Sequence, residues 1–425
     1  MSCFRNLRVR GYYEIVFKFN LEQLWKIMNY FFILHLLLAL FPILNQVQAE
    51  QIPMSSKKLD TSKEVHKIAF GSCGDPYKDM NIWNSIKAEE PDLFLYIGDN
   101  VYQIEEKNHP ELKELRDAYN QLAINPEFKR LRSSVPILTT WDDHDFGLND
   151  AGGDWPYKAK SQEIYYQAWD IKQNDPRRHR GGVYHSVMLG EQDKRLQIIL
   201  LDTRYFRSPL LKTDQLDAPY KERYLQDHDN QKTMLGSEQW DWLKEQLSKP
   251  ANLRLIVSSI QIIADGHGWE SWRTLPKERQ KLYRLISETN SEGVIFLSGD
   301  RHSAAFYEET ENLPYPITEI TSSSLNDPLT GFVKNIKVEP GPKRIVLPFY
   351  ESNYGVLQID WDNQTVKLSI NNTASEKVRT KSINFKELQS DSWKLGLFLL
   401  STAEIIDGLQ IWQALILVSL KEFFM

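Results

Sequence analysis

Leu93-Phe-Leu-Tyr-Ile-Gly-Asp-Asn-Val-Tyr102 is the stretch that decides how the chain is read. Five apolar residues in an unbroken run have the length of a strand buried on both faces, and Gly98-Asp-Asn then breaks the run into a turn that carries an acid. Three further segments repeat the pattern. Residues 65–70 lead into Gly71-Ser-Cys-Gly-Asp75, residues 135–138 into Trp141-Asp-Asp-His-Asp-Phe-Gly147, and residues 294–297 into Ser298-Gly-Asp-Arg-His302. In an open α/β sheet, ligands collect at the carboxyl ends of the strands. Four such ends carrying Asp, His, Cys and Tyr read as one metal centre.

A single Asp after a strand is also an ordinary turn former that caps its own backbone. Four segments together favour the metal reading. Asp99, Asp143 and Asp300 gathered at one place repel one another, and a divalent or trivalent ion turns that cost into binding energy. The two cysteines point the same way. Cys3 lies upstream of a leader-like segment, which leaves Cys73 as a lone thiol at a strand end, either a buried small hydrophobe or a thiolate ligand.

Around these motifs, strands and helices alternate. Residues 110–131, 161–172, 237–247 and 276–288 read as helices, the third opening with a capping-box-like Ser-Glu-Gln-Trp. Residues 183–189 and 196–201 read as an antiparallel pair, residues 253–258 as a strand, and residues 317–322, 355–361 and 366–371 as a closing set of strands. This order suits two sheet layers with helices outside both faces.

Lys26 precedes an apolar stretch over residues 30–44, and Val47-Gln-Ala49 offers the small residues of a leader cleavage site. The expected organisation is therefore a signal peptide with an N-terminal extension over 1–49, a catalytic domain over 50–388 and an apolar tail over 389–425. Secretion is the expectation, with a membrane anchor as the alternative, and membrane association would run through the termini. The net charge of −6 and pI near 5.9 argue against a nucleic-acid partner. Asn363-Gln-Thr365 and Asn371-Asn-Thr373 are glycosylation acceptors in a glycosylating host.

The motifs Phe-Gly-Ser-Cys, Gly-Asp-Asn-Val-Tyr, Trp-Asp-Asp-His-Asp, Leu201-Asp-Thr-Arg204, Leu235-Gly-Ser-Glu-Gln-Trp240, Gly268-Trp-Glu-Ser-Trp272 and Ser-Gly-Asp-Arg-His occur in this order. In that order they resemble the PhoD-like metallophosphatases, the alkaline phosphatase D family. The resemblance implies a four-layer α/β/β/α sandwich of the calcineurin-like metallophosphoesterase type. It implies a bridging Asp99, a Tyr102 phenolate on ferric iron with Cys73 as thiolate, and calcium held by Asp143, Asn149 and Asp300, with Asp300 or His302 as a direct ligand. Other divalent metals would serve the same positions. His144 stands where the wider superfamily places the histidine that protonates the leaving oxygen, with Asp142 or Asp145 to orient it. Arg204 is expected in catalysis, and Arg301 and His267 at the substrate.

The implied activity is hydrolysis of phosphate monoesters or diesters by attack of metal-activated hydroxide. The alternatives are a diesterase acting on phospholipid or cell-wall phosphodiesters and a catalytically silent secreted binding protein that keeps the fold.

Overall fold

The computed structural model describes residues 25–26, 28–32, 50–103, 110–331, 333–334 and 337–390. Residues 25, 26 and 28–32 are helical and fall in a unit of their own, residues 1–50. Cleavage after Ala49 and nearly all of the 389–425 tail lie outside the described residues. Among the described residues, no helix is long and apolar enough to cross a membrane.

The rest of the chain builds two sheets. In the first, β1 (Lys67–Gly71), β2 (Leu93–Ile97) and β3 (Ile137–Thr140) run parallel, and the antiparallel strands β10 (Asn353–Asp360), β11 (Thr365–Asn372) and β12 (Lys377–Asn384) extend it in the order β12-β11-β10-β1-β2-β3. In the second, β5 (Leu196–Leu200), β6 (Leu253–Val257), β7 (Val294–Ser298) and β9 (Ile317–Ser322) are parallel. Antiparallel β4 (His185–Leu189) and β8 (Ala304–Glu309) close its two edges, giving the order β4-β5-β6-β7-β9-β8.

Strand alternation fixes the layers. Leu93, Leu95 and Ile97 of β2 join a core shared with Ile198, Leu255 and Phe296 of the second sheet. Phe94 and Tyr96, pointing the other way, pack with Trp83 of α1 (Ile82–Ala88), Tyr119 of α2 (Lys113–Ile124), Phe128 of α3 (Pro126–Ser134) and Tyr165 of α5 (Lys158–Ala168). On the far side, α6 (Gly236–Leu247) and α7 (Pro276–Glu288) place Leu243, Leu282 and Ile286 against the second sheet's core. Helix, sheet, sheet and helix thus form four layers. Each fully buried Leu, Ile or Phe contributes about 1.5–3 kcal/mol, so both faces of the central strands are tightly specified.

Local chemistry moves some boundaries. The helix expected over 110–131 is two helices, because Pro126 cannot continue α2 and instead occupies the first turn of α3, where the Asn125 side chain accepts from Phe128 N at 2.8 Å. Ser237 does not cap α6. That helix starts one residue earlier, and Thr233 Oγ1 accepts from Gly236 N at 2.9 Å. Strands β8 and β12 were not legible in the sequence. Asn371 is fully buried, with Nδ2 donating to Glu89 Oε1 at 3.0 Å, so it is no glycosylation acceptor in the folded chain, whereas Asn363 is exposed in the β10–β11 turn.

Candidate metal centre

The parallel strands of both sheets end on the same side, and Ser72 past β1 pairs with Ser323 past β9 where the sheets meet. Each strand end then bends sharply. Cys73 (φ 57°), Asp99 (φ 46°), Asp300 (φ 70°) and His302 (φ 50°) all adopt the left-handed backbone that non-glycine residues avoid. Strain of this kind clusters at functional sites because it turns side chains inward where an extended strand would not. Gly98 makes one of these turns feasible, since a Cβ there would lie 2.8 Å from Asp142 Cβ and 2.9 Å from Ser259 Cβ.

A short helical turn, α4 (Asp143–Phe146), follows β3 and is held by Asp145, whose Oδ1 accepts from Asp142 N at 2.5 Å. The outcome is a chain of overlapping donor sets whose ligand atoms lie within 4.8 Å of one another: Cys73, Asp99 and His302; Asp99, Asp143 and His144; Asp142, Asp143 and Asp300; and Asp143, Asp150 and Glu270. Asp99 joins the first two sets and Asp143 the last three, which is what a shared bridging ligand requires.

Hydrogen bonds orient the donors. Cys73 Sγ lies 3.4 Å from Asp99 Oδ2 and 3.1 Å from Ser323 Oγ. The Tyr102 hydroxyl donates to Asp99 Oδ2 at 3.0 Å and lies 3.5 Å from His302 Nε2. Because His302 Nδ1 meets the Asp327 carbonyl, which can only accept, that nitrogen carries the proton and Nε2 presents its lone pair to the cluster. The His144 and Tyr102 rings lie 4.3 Å apart, tilted by 35°.

The electrostatics are those of a site short of positive charge. Burial, then the charge of Asp143, holds Asp99 well above the usual carboxylate range, and burial, then Asp142, does the same to Asp300. Burial pushes Asp142 up to about 7, with Arg204 pulling against it. Burial acts on Asp143 too, but His144, Arg204 and the Asp150 N–H outweigh it and leave that carboxyl below the usual range. Burial and the neighbouring Asp99 raise both the Cys73 thiol and the Tyr102 phenol well above their ordinary values. With protein atoms alone, Asp99, Asp300, Cys73 and Tyr102 favour their protonated forms, while Asp143 stays ionised. A polyvalent cation among them would displace the protons and satisfy the donors together, so the residues present fit a metal centre.

Several expected site residues are placed differently. Arg204 is fully buried, with Nε donating to Asp142 Oδ1 at 2.6 Å and Nη2 paired with Glu270 Oε2 at 2.6 Å. It braces the cluster from within and presents nothing to a substrate. His267 is also sealed, its Nε2 at 2.9 Å from Gln261 Oε1 and its Nδ1 accepting from Trp269 N at 3.2 Å. Asn149 is exposed, and from the same loop it is Asp150 that enters a donor set, its N–H also bonding Asp143 Oδ2 at 2.7 Å. Neither Asp142 nor Asp145 is arranged as an orienting carboxylate for the His144 ring. Asp142 binds Arg204 and Ser259, and Asp145 binds Asn100 and its own turn. Arg301 remains partly exposed, paired with Glu339 at 2.5 Å.

Sequence reasoning missed Asp150 and Glu270 as donors, although each sits inside a quoted motif or beside one. It also missed Ser323, whose hydroxyl accepts from His302 N at 2.8 Å. No residue pattern in the chain singles out that serine.

Comparison with known proteins agrees with this geometry. A family model described as PhoD-like phosphatase matches residues 68–369, most of the chain and every strand end described above. The chain belongs to the PhoD-like phosphatase family. Alkaline phosphatase D of Bacillus subtilis (strain 168) is 24% identical over 274 residues, which cover 56% of this chain and 46% of that protein. The chain thus spans less than half the length of that relative. A solved structure of PhoD superposes with a TM-score of 0.58 at 16% identity, covering 77% of this chain and 70% of that one, a likeness of fold.

Proposed function

We propose that this chain is an extracytoplasmic, metal-dependent phosphoesterase that hydrolyses phosphate monoesters or diesters. One observation carries the reading: Cys73, Asp99, Asp143, Asp300 and His302 converge from the ends of four parallel strands in two sheets, in a chain of the PhoD-like phosphatase family. The leader-like sequence around residues 26–49 supports an extracytoplasmic location.

Cys73, Tyr102 and His302, with Asp99, form a donor set of thiolate, phenolate and imidazole that suits ferric iron. Asp143, Asp142 and Asp300 offer hard oxygens that suit calcium. Cations bound there would supply Lewis acidity and neutralise the charge of the phosphoryl group. The chain's own contribution is positional. Asp99 and Asp143 hold the two halves of the centre together, and His302 is fixed in one tautomer by Asp327.

His144, partly exposed beside Tyr102, is the general acid in this reading and gives a proton to the departing alcohol oxygen. In the overall step a water oxygen joins phosphorus, the bond from phosphorus to the ester oxygen breaks, and that oxygen leaves carrying the proton.

The test follows release of p-nitrophenol from its phosphate monoester and diester by the full chain, purified without chelators, then after chelation, then after adding back calcium with iron. Turnover lost on chelation and regained with metal is expected. A folded, metal-replete protein that turns over neither ester would sink the proposal and favour a silent binding protein.

A further inference from the structure

Beside the metal centre, two guanidinium groups lie over the Trp269 ring, Arg223 with its Cζ 4.9 Å and Arg301 with its Cζ 5.5 Å from the ring centroid. Each of the three is tied to the cluster. Trp269 precedes Glu270 and Arg301 follows Asp300, while Arg223 Nη1 lies 2.9 Å from Asp150 Oδ2.

The assembly is rigid. Arg223 N and Tyr224 N both donate to Gly268 O, at 3.1 and 2.7 Å, and the Tyr224 hydroxyl donates to Asp150 Oδ2 at 2.8 Å. Gly268 permits this contact, because a Cβ there would lie 2.6 Å from Lys221 N. The Arg223 side chain is 44% exposed, so the group reaches solvent next to buried donors.

Both cations already have carboxylate partners, Arg223 with Asp150 at 2.9 Å and Arg301 with Glu339 at 2.5 Å. A second anionic group on a substrate would have to displace them. What the three side chains have in common is flat surface: an indole and two guanidinium planes, all of which stack on aromatic rings. We infer that Arg223, Trp269 and Arg301 form a stacking subsite that selects phosphate esters whose organic part carries a planar aromatic ring. This inference rests on the phosphoesterase reading and names its substrate class.

The probes are 2-phenylethylphosphonate and 2-cyclohexylethylphosphonate, which share their anion and linker, resist hydrolysis and differ in the ring alone, aromatic and flat in the first, saturated and puckered in the second. Their affinities for the full chain, measured by calorimetry, are expected to favour the phenyl compound by about three- to tenfold. Trp269→Leu brings that ratio close to one, and Arg223→Gln, an exposed change that spares the core, narrows it. Equal affinities in the parent protein, or a ratio that survives Trp269→Leu, would overturn the subsite.

The same samples are assayed with p-nitrophenyl phosphate, which separates the two claims. Hydrolysis without phenyl preference removes the subsite and leaves the phosphoesterase. Preference without hydrolysis does the reverse, and the absence of both removes both.

Discussion

Arg204 offers the sharpest test of how the centre is built. Replacing it with Met keeps the volume and removes the charge, leaving Asp142 and Glu270 facing each other in the interior with side-chain exposures of 1% and 2%. Breaking a buried pair by deleting one partner costs about 3–5 kcal/mol, because the remaining charge has neither water nor counterion. Here two carboxylates lose their partner, although Arg207 still holds Glu270 at 2.8 Å, so about 4 kcal/mol is a fair expectation. A fold of this length has an unfolding entropy of about 0.7 kcal/mol/K, which converts the loss into a fall in Tm of about 6 °C. Circular dichroism of Arg204→Met against the parent chain measures it. Adding Asp142→Asn on the same background should recover part of the loss, since the stranded carboxylate is then gone. If Arg204→Met kept its Tm within a degree while losing all turnover, the arginine would be acting on substrate and the placement argued from burial would be wrong.

Further outcomes follow from the same geometry. His144→Asn should lower kcat by about 10²–10⁴-fold on an alkyl phosphate, whose leaving oxygen needs a proton, and by much less on p-nitrophenyl phosphate, whose leaving group does not. Tyr102→Phe should abolish the visible charge-transfer band of an iron-loaded sample without changing its far-ultraviolet circular dichroism, and colour that persists in the variant would refute a phenolate on iron. His267 is held neutral well below its ordinary pKa by burial and by the nearby Arg301 and Arg273. The unfolded chain therefore takes up a proton below about pH 6.5 that the fold refuses, so stability falls by about 2 kcal/mol between pH 7 and pH 5, and His267→Gln should lack that component of the denaturation curve. Expressed through a glycosylating secretory pathway, the chain should carry glycan at Asn363 and none at the buried Asn371, which peptide mapping by mass spectrometry decides.

The parts of this molecule that were legible in its sequence are those governed by continuous local pattern. Leu93–Ile97 has the bounds of its unbroken apolar run, Ile317–Ser322 those of its alternating residues, and the helix Pro276–Glu288 those of a proline in its first turn followed by apolar residues at helical spacing. β12 did not announce itself. Lys-Val-Arg-Thr-Lys-Ser-Ile-Asn is an edge strand whose charged outer residues keep its free side in water, and little apolar alternation is left to see. At the site, residue identity singled out Cys73, Asp99, Asp143 and His302, which the fold brings into overlapping donor sets, but it could not rank polar groups by depth. Arg204 and His267 have the composition of substrate contacts and the burial of structural pairs, and only the packing of the loops after β5 and β6 distinguishes the two.

Depth also explains how so unfavourable an arrangement can persist. Cys73, Asp99, Asp300 and His302 each occupy a backbone region that costs about 1–3 kcal/mol, and the carboxylates among them repel one another. A glycine at any of these positions would relieve the strain, and glycines do stand immediately beside three of them, at Gly74, Gly98 and Gly299. The division of labour is physical. The neighbouring glycine absorbs the close approach, as Gly299 does where a Cβ would fall 2.4 Å from Ser72 Oγ, while the strained residue keeps a side chain that can bind. The apolar cores on either side of the sheets hold the strand ends at fixed separation, so the four turns cannot relax independently. The donors are therefore held together by the packing of both sheets. Ligand removal should follow the same logic: Asp99→Asn should weaken metal binding while leaving the metal-free protein as stable as its parent or more so, because it replaces a carboxyl whose ionised form the fold alone disfavours with a neutral amide.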